Sequence, residues 1–150
     1  MGKASPLNTL ADLARDDTDA AARELGRLQG VRTQAERQLD ALRQYRDEYR
    51  ARMQATAAQG MSAGRWHDFA AFLASLDDAI RQQSAALAKA DADLQAGRAD
   101  WQHHKRRTHA FDTLIARADA RQQQVLLGRE QRANDEHAAR LARRNATQPS

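Results

Sequence analysis

The chain has 150 residues, of which 29% are charged and 5% aromatic, with no cysteine and a net charge of +4. This composition excludes a disulfide-stapled fold, a thiolate metal centre and a thick apolar core, and favours long helices that bury a narrow seam. No stretch approaches the roughly 18 apolar residues of a membrane-crossing helix, and the opening "MGKASPLNTL" lacks the apolar run of a signal peptide, so a cytoplasmic protein is expected.

Residues 1–6 are expected to be a flexible start. From about residue 7 to 58 the pattern is helical and repeats every seven residues. One seam position holds Leu25, Arg32, Leu39, Arg46 and Met53; the other holds Leu7, Ala14, Ala21, Leu28, Ala35, Leu42 and Tyr49. The stretch "QGMSAGRW" then breaks the pattern, predicting a loop over about 59–64 in which Ser62 is a suitable helix cap. A second helix is predicted over about 65–143. Its first seam row begins Trp66, Leu73, Ile80, Leu87, Leu94 and Trp101, and its second row includes Phe69, Leu76, Gln83, Ala90, Gly97, His104 and Phe111. Residues 144–150 are expected to be a disordered tail.

A seven-residue repeat held this long predicts a left-handed coiled coil, and a short loop makes the two helices antiparallel neighbours. The expected fold is therefore all-α: a long two-helix antiparallel coiled-coil hairpin over residues 7–145, with the second helix longer. Setting Tyr49 opposite Leu73 pairs Met53 with Phe69, Leu42 with Ile80, Leu39 with Gln83, Ala35 with Leu87, Leu28 with Leu94, Ala21 with Trp101 and Leu7 with Ile115, and puts the fold point inside the predicted loop. Beyond about Ile115 the second helix has no partner. Charge is uneven as well. Residues 1–97 hold 13 Arg/Lys against 14 Asp/Glu, whereas residues 98–150 hold 11 against 6, so the overhang is basic.

Nothing in the chain forms a catalytic constellation. His103, His104 and His109 are not at the four-residue spacing that places two ligands on one helix face, and His67 and His137 are isolated. There is no nucleophile elbow, P-loop or zinc motif. A non-enzyme is expected, with no cofactor, no metal site and no small-molecule substrate. The runs "HHKRRTH" and "ARLARRN" are basic enough to touch nucleic acid. Acidic residues interleave elsewhere and no aromatic residue stands beside the tail, so a basic nucleic-acid-binding coiled coil is kept only as an alternative.

The two tyrosines of the chain, Tyr45 and Tyr49, lie four residues apart on one helix face. One step off the seam alignment, Gln38 pairs with Gln83, Leu42 with Ala79, Tyr45 with Leu76, and Tyr49 with Phe72. These eight residues form a continuous strip along one edge of the hairpin. It gathers three of the chain's seven aromatic residues near the loop. Rings that are large, amphipathic and rigid suit binding hot spots, so the strip is expected to dock another protein.

The segments "LADLARDDTDAAARELG", "QAERQLDALRQYRDEYR" and "RWHDFAAFLASLDDAI", with the doubled Tyr-x-x-x-Tyr, resemble the flagellar export protein FliJ family. The similarity runs from about Leu10 to about Ala120. It implies an antiparallel coiled coil of the bacterial flagellar type III export apparatus, similar to the central stalk of rotary ATPases. The implied partners are the export ATPase hexamer, the cytoplasmic domain of the export gate membrane protein, and export chaperones. The implied location is the cytoplasm, peripherally associated with the inner membrane at the flagellar base. The family's gate-contact strip matches Gln38, Leu42, Tyr45, Tyr49, Phe72, Leu76, Ala79 and Gln83 here. Gln83 stands where His is usual, which keeps a hydrogen-bonding side chain but loses the titratable group. The equivalent stalk of a virulence type III system is the neighbouring reading.

Overall fold

The computed structural model describes residues 5–147. Two helices hold nearly all of them: α1, Pro6–Ala58, with 53 residues, and α2, Ala63–Thr147, with 85. The chain is an all-α helical hairpin with the longer helix second, and no strand occurs among the described residues.

Both helices start on a serine cap. The Ser5 hydroxyl accepts the Asn8 N–H at 3.2 Å while its carbonyl accepts the Thr9 N–H, and Pro6 fills the first helical position, where a missing N–H costs nothing. Ser62 repeats the device, its hydroxyl taking the Arg65 N–H at 3.2 Å and its carbonyl the Trp66 N–H at 3.0 Å. Between the helices, the N–H groups of Gln59 and Gly60 fold back onto the carbonyls of Thr56 and Ala57. Gly60 has φ +100°, a left-handed conformation that a side chain would strain.

The connection is therefore shorter than the predicted 59–64. Gly64 lies inside α2 rather than in the loop, because the Ser62 cap fixes the helix start two residues earlier than glycine content suggests. At the other end α2 reaches Thr147, not 143, and the Thr147 hydroxyl donates to the carbonyls of Arg143 and Arg144 at 3.1 Å each. Of the expected flexible start, Pro6 is helical and residues 1–4 lie outside the described residues. Of the expected disordered tail, 144–147 are helical and 148–150 lie outside them.

The chain divides into two units, Asp16–His104 and Met1–Arg15 with Lys105–Ser150. In Asp16–His104 the buried residues are Ala21, Leu28, Ala35, Leu39 and Met53 from α1 and Leu76, Ile80 and Ala90 from α2. Every one occupies a seam position of the seven-residue repeat. The alignment follows the predicted one. Gly97 packs between Leu25 and Leu28: a Cβ added to it would overlap Leu28 Cδ1 and touch Leu25 Cδ1 at 3.9 Å. Two helices cannot enclose a seam fully, so Leu25, Leu42, Leu73, Leu87 and Leu94 are only half-buried.

Polar seam positions are accommodated by reaching outward. Arg32 leads its guanidinium to Asp91 across the hairpin at 2.6 Å and to Glu36 at 2.7 Å along its own helix, leaving its stem over the seam. The Asp91 hydrogen bond and charge, with Glu36 adding to them, raise the Arg32 pKa further and keep it charged. Trp66, expected in the seam, is 48% exposed. It lies in the first turn of α2, where α1 is ending, and the alignment sets it opposite Thr56, too small to cover so large a ring.

In the second unit, Ala11 and Ala14 are buried, and Leu7, Thr108, Phe111 and Ile115 half-buried. Ala11 and Ala14 continue the two seam rows of α1. Arg15 bridges the helices through Asp112 at 2.6 Å while also holding Asp12 at 2.8 Å. After Ile115 the burial pattern stops. From residue 116 to 147 every side-chain-bearing residue is exposed, including Val125, Leu126, Leu127 and Leu141. That is the predicted point at which α2 outruns its partner. Among the described residues no helix is long and apolar enough to cross a membrane.

Candidate protein-docking strip

The strip lies within Asp16–His104, near the connection. Its aromatic end is a packed group of rings. Tyr49 and Phe72 have centroids 4.6 Å apart, Tyr45 meets Phe72 edge-on at 6.2 Å, and Tyr45 and Tyr49 stack along α1 at 6.5 Å. Pairs of this kind contribute about 0.5–1.5 kcal/mol beyond the area they bury. The seam ring of Phe69 joins from below, 5.3 Å from Tyr49. Tyr45 remains 42% exposed and Phe72 40%, while Tyr49 is half-buried. The rings are thus anchored on one side and open to solvent on the other.

The polar end is tied differently. The Gln83 amide donates to the Ala35 carbonyl and to Gln38 Oε1, both at 3.1 Å. The predicted pairing of Gln38 with Gln83 is present, and the Gln83 amide uses its donors to close the hairpin. Gln38, Ala41, Leu42, Tyr45 and Gln83 line a shallow open hollow. It continues past Gln38 and Gln83 to a second hollow reaching Val31, Gly30 and Arg27. Ala79 is half-buried, and Leu76, at 7% exposure, is core. Leu76 therefore supports the strip from beneath and offers a partner almost no surface.

The strip carries no charge along its middle. Well beyond its polar end, further along α1, Glu24 is held below its ordinary pKa by the Arg27 hydrogen bond, the guanidinium contacts being 2.6 and 2.9 Å. On the other edge of the seam the Arg32–Asp91 ion pair crosses between the helices. One edge is closed by charge and the other is left apolar and open.

A family model described as the flagellar FliJ protein matches residues 3–147. The chain belongs to the flagellar FliJ family. It is 33% identical to the flagellar FliJ protein of Salmonella typhi over 144 residues, covering 96% of this chain and 98% of that one. It is 31% identical to the flagellar FliJ protein of Escherichia coli (strain K12) over the same length and shares. The match includes both helices and extends past Ala120, beyond the span over which the sequence motifs show the resemblance.

Two features of this family member were not foreseen from its sequence. Phe69 enters the ring group although its seam position marks it only as core. Arg52 and Arg65, one heptad closer to the connection than Tyr45 and Phe72, flank the rings. The Arg52 guanidinium carbon is 5.8 Å from the Tyr49 centroid and that of Arg65 is 5.9 Å from the Phe69 centroid. The seven-residue spacing from Tyr45 and Phe72 was the available signal. Elsewhere, the Nδ1 of His104 is buried without a hydrogen-bond partner while its Nε2 lies 3.5 Å from Asp100. No group of three or more His, Asp or Glu residues suited to a metal ion occurs among the described residues.

Proposed function

We propose that the protein is a non-catalytic stalk and adaptor of the bacterial flagellar type III export apparatus. In this role it promotes assembly and activity of the export ATPase hexamer and links it to the cytoplasmic domain of the membrane export gate, and it also engages export chaperones. It works in the cytoplasm at the flagellar base, peripherally associated with the inner membrane. Membership of the flagellar family favours this machine over a virulence secretion system. The observation that carries the reading is the ring group of Tyr45, Tyr49 and Phe72, held open on one edge of an otherwise polar hairpin in a member of that family.

Physical considerations support two separate contacts. The strip gives the gate an apolar, uncharged surface with rigid anchors, the kind of surface on which a few residues carry most of the binding energy. The exposed part of α2 after Ile115 gives the ATPase a helix of about 10–12 Å diameter with a basic balance. A ring repeats its subunits and this helix does not, so one copy per hexamer suffices.

The test is pulldown of the export ATPase, with ATP hydrolysis measured alongside, using the full chain and a chain lacking residues 118–150. The expected result is that the full chain binds and stimulates hydrolysis and that the truncated chain loses both while still binding the gate domain. Equal stimulation by both chains would refute the assignment of α2 to the ATPase. A salt-sensitive shift of plain duplex DNA by the full chain, without ATPase binding, would favour the nucleic-acid alternative.

A further inference from the structure

We infer that Arg52 and Arg65 form a carboxylate clamp at the loop end of the aromatic strip, so that the segment docking there is acidic: an apolar anchor seated on Tyr45 and Phe72, with an Asp or Glu about 10 Å further toward the connection. The inference rests on the docking reading of the strip and names the chemistry of its partner.

Three observations converge on it. First, both arginines occupy the same edge as the strip. Each lies one heptad loopward of a strip ring, Arg52 from Tyr45 on α1 and Arg65 from Phe72 on α2, a displacement of about 10 Å along a helix. Second, both guanidiniums are positioned by rings rather than by carboxylates. Arg52 lies over Tyr49 and Arg65 over Phe69, and those two rings are 5.3 Å apart, so the cations flank one ring pair. A cation–π contact at an exposed site orients a guanidinium while leaving its N–H groups free to donate.

Third, neither cation is neutralised by its neighbours. None of the ion pairs among the described residues involves either, although Glu48 is four residues before Arg52 and Asp68 three residues after Arg65. Glu48 instead accepts from Gln44 at 3.3 Å. Along the rest of the strip the side chains are uncharged. The edge therefore presents an apolar surface ending in two like charges. Two like charges at one end of an uncharged strip are complemented by a carboxylate on the partner. The planar guanidinium donates in a fork that matches a carboxylate, which makes the site selective for Asp or Glu rather than merely attractive to anions.

The experiment titrates the purified cytoplasmic domain of the export gate into four forms of the full chain at low and high salt. The forms are wild type, Arg52→Gln/Arg65→Gln, Arg52→Glu/Arg65→Glu, and Tyr45→Ala/Phe72→Ala, with helix content checked by circular dichroism. Both arginines are exposed, so the substitutions leave the helices intact. The clamp predicts that the Gln form binds about tenfold more weakly and loses most of its salt dependence, and that the Glu form is weaker still. Wild-type affinity in the Gln form, with binding lost in the ring variant, would overturn the clamp and leave the docking strip standing. Tighter binding by the Glu form would also overturn it, because the partner would then be basic. Unchanged binding in both the ring and Gln variants would refute the docking reading itself.

Discussion

Replacing Gly97 by alanine tests the packing of the hairpin against a close internal control. In an exposed helix interior, Gly→Ala stabilises by about 1 kcal/mol, because alanine has less backbone freedom to lose. At Gly26 an added Cβ meets nothing within 4 Å, so Gly26→Ala is expected to gain that full amount. At Gly97 the same Cβ would overlap Leu28 Cδ1, and Leu28 is only 9% exposed, with little room to retreat. Displacing a packed side chain costs about 1–3 kcal/mol. The Gly97 variant is therefore expected to range from neutral to about 2 kcal/mol less stable than wild type. The two variants should differ by about 1–3 kcal/mol, which corresponds to several degrees in Tm for a chain of this size. Thermal and urea denaturation followed by circular dichroism measures the difference. If Gly97→Ala raised the midpoint as much as Gly26→Ala, Gly97 would not lie against Leu28, and the alignment of α1 with α2 in this unit would be wrong.

Other expectations follow from the same structure. Ser62→Ala removes the hydroxyl that caps α2 and should cost about 1 kcal/mol in urea denaturation, whereas Ser62→Asp should cost little. The Glu24 carboxylate is held below its ordinary pKa by Arg27, so its contribution is present at neutral pH and is lost as pH falls through the folded value, below the ordinary carboxylate value of 4.5. Glu24→Gln should then lessen the loss of helicity on acidification, by an amount that shrinks in high salt because the pair is exposed.

The seam was legible in the sequence because a seven-residue repeat is a one-dimensional signal, and two helices in contact have only one way to satisfy it. Leu28, Leu39, Met53, Leu76 and Ile80 are buried where the repeat places them. The connection was less legible. Gly64 resembles a breaker, yet helix starts are decided by caps, and Ser62 is the residue that bonds. Trp66 fits the repeat and is still exposed, since the repeat specifies facing positions and not whether the facing helix is still there to cover a large ring. Of the strip, its edge and the Gln38–Gln83 pairing could be read in advance. Leu76 belongs both to the second seam row and to the strip, and its burial follows the seam row, so it is core beneath the strip and not part of its open surface. The ring-held arginines were missed because charge on a helix surface is common, and what sets Arg52 and Arg65 apart is their seven-residue offset from Tyr45 and Phe72 together with their placement over Tyr49 and Phe69.

The most direct test of the account is the affinity of the export gate's cytoplasmic domain for the variant Tyr45→Ala/Tyr49→Ala/Phe72→Ala, with helix content measured on the same samples. The account predicts a loss of affinity on the order of 100-fold or more with helicity nearly unchanged, because two exposed rings and the half-buried Tyr49 are removed from one edge while the buried seam residues Met53, Leu76 and Ile80 remain in place. Undiminished affinity, or a loss of binding that simply follows a collapse of helicity, would contradict it.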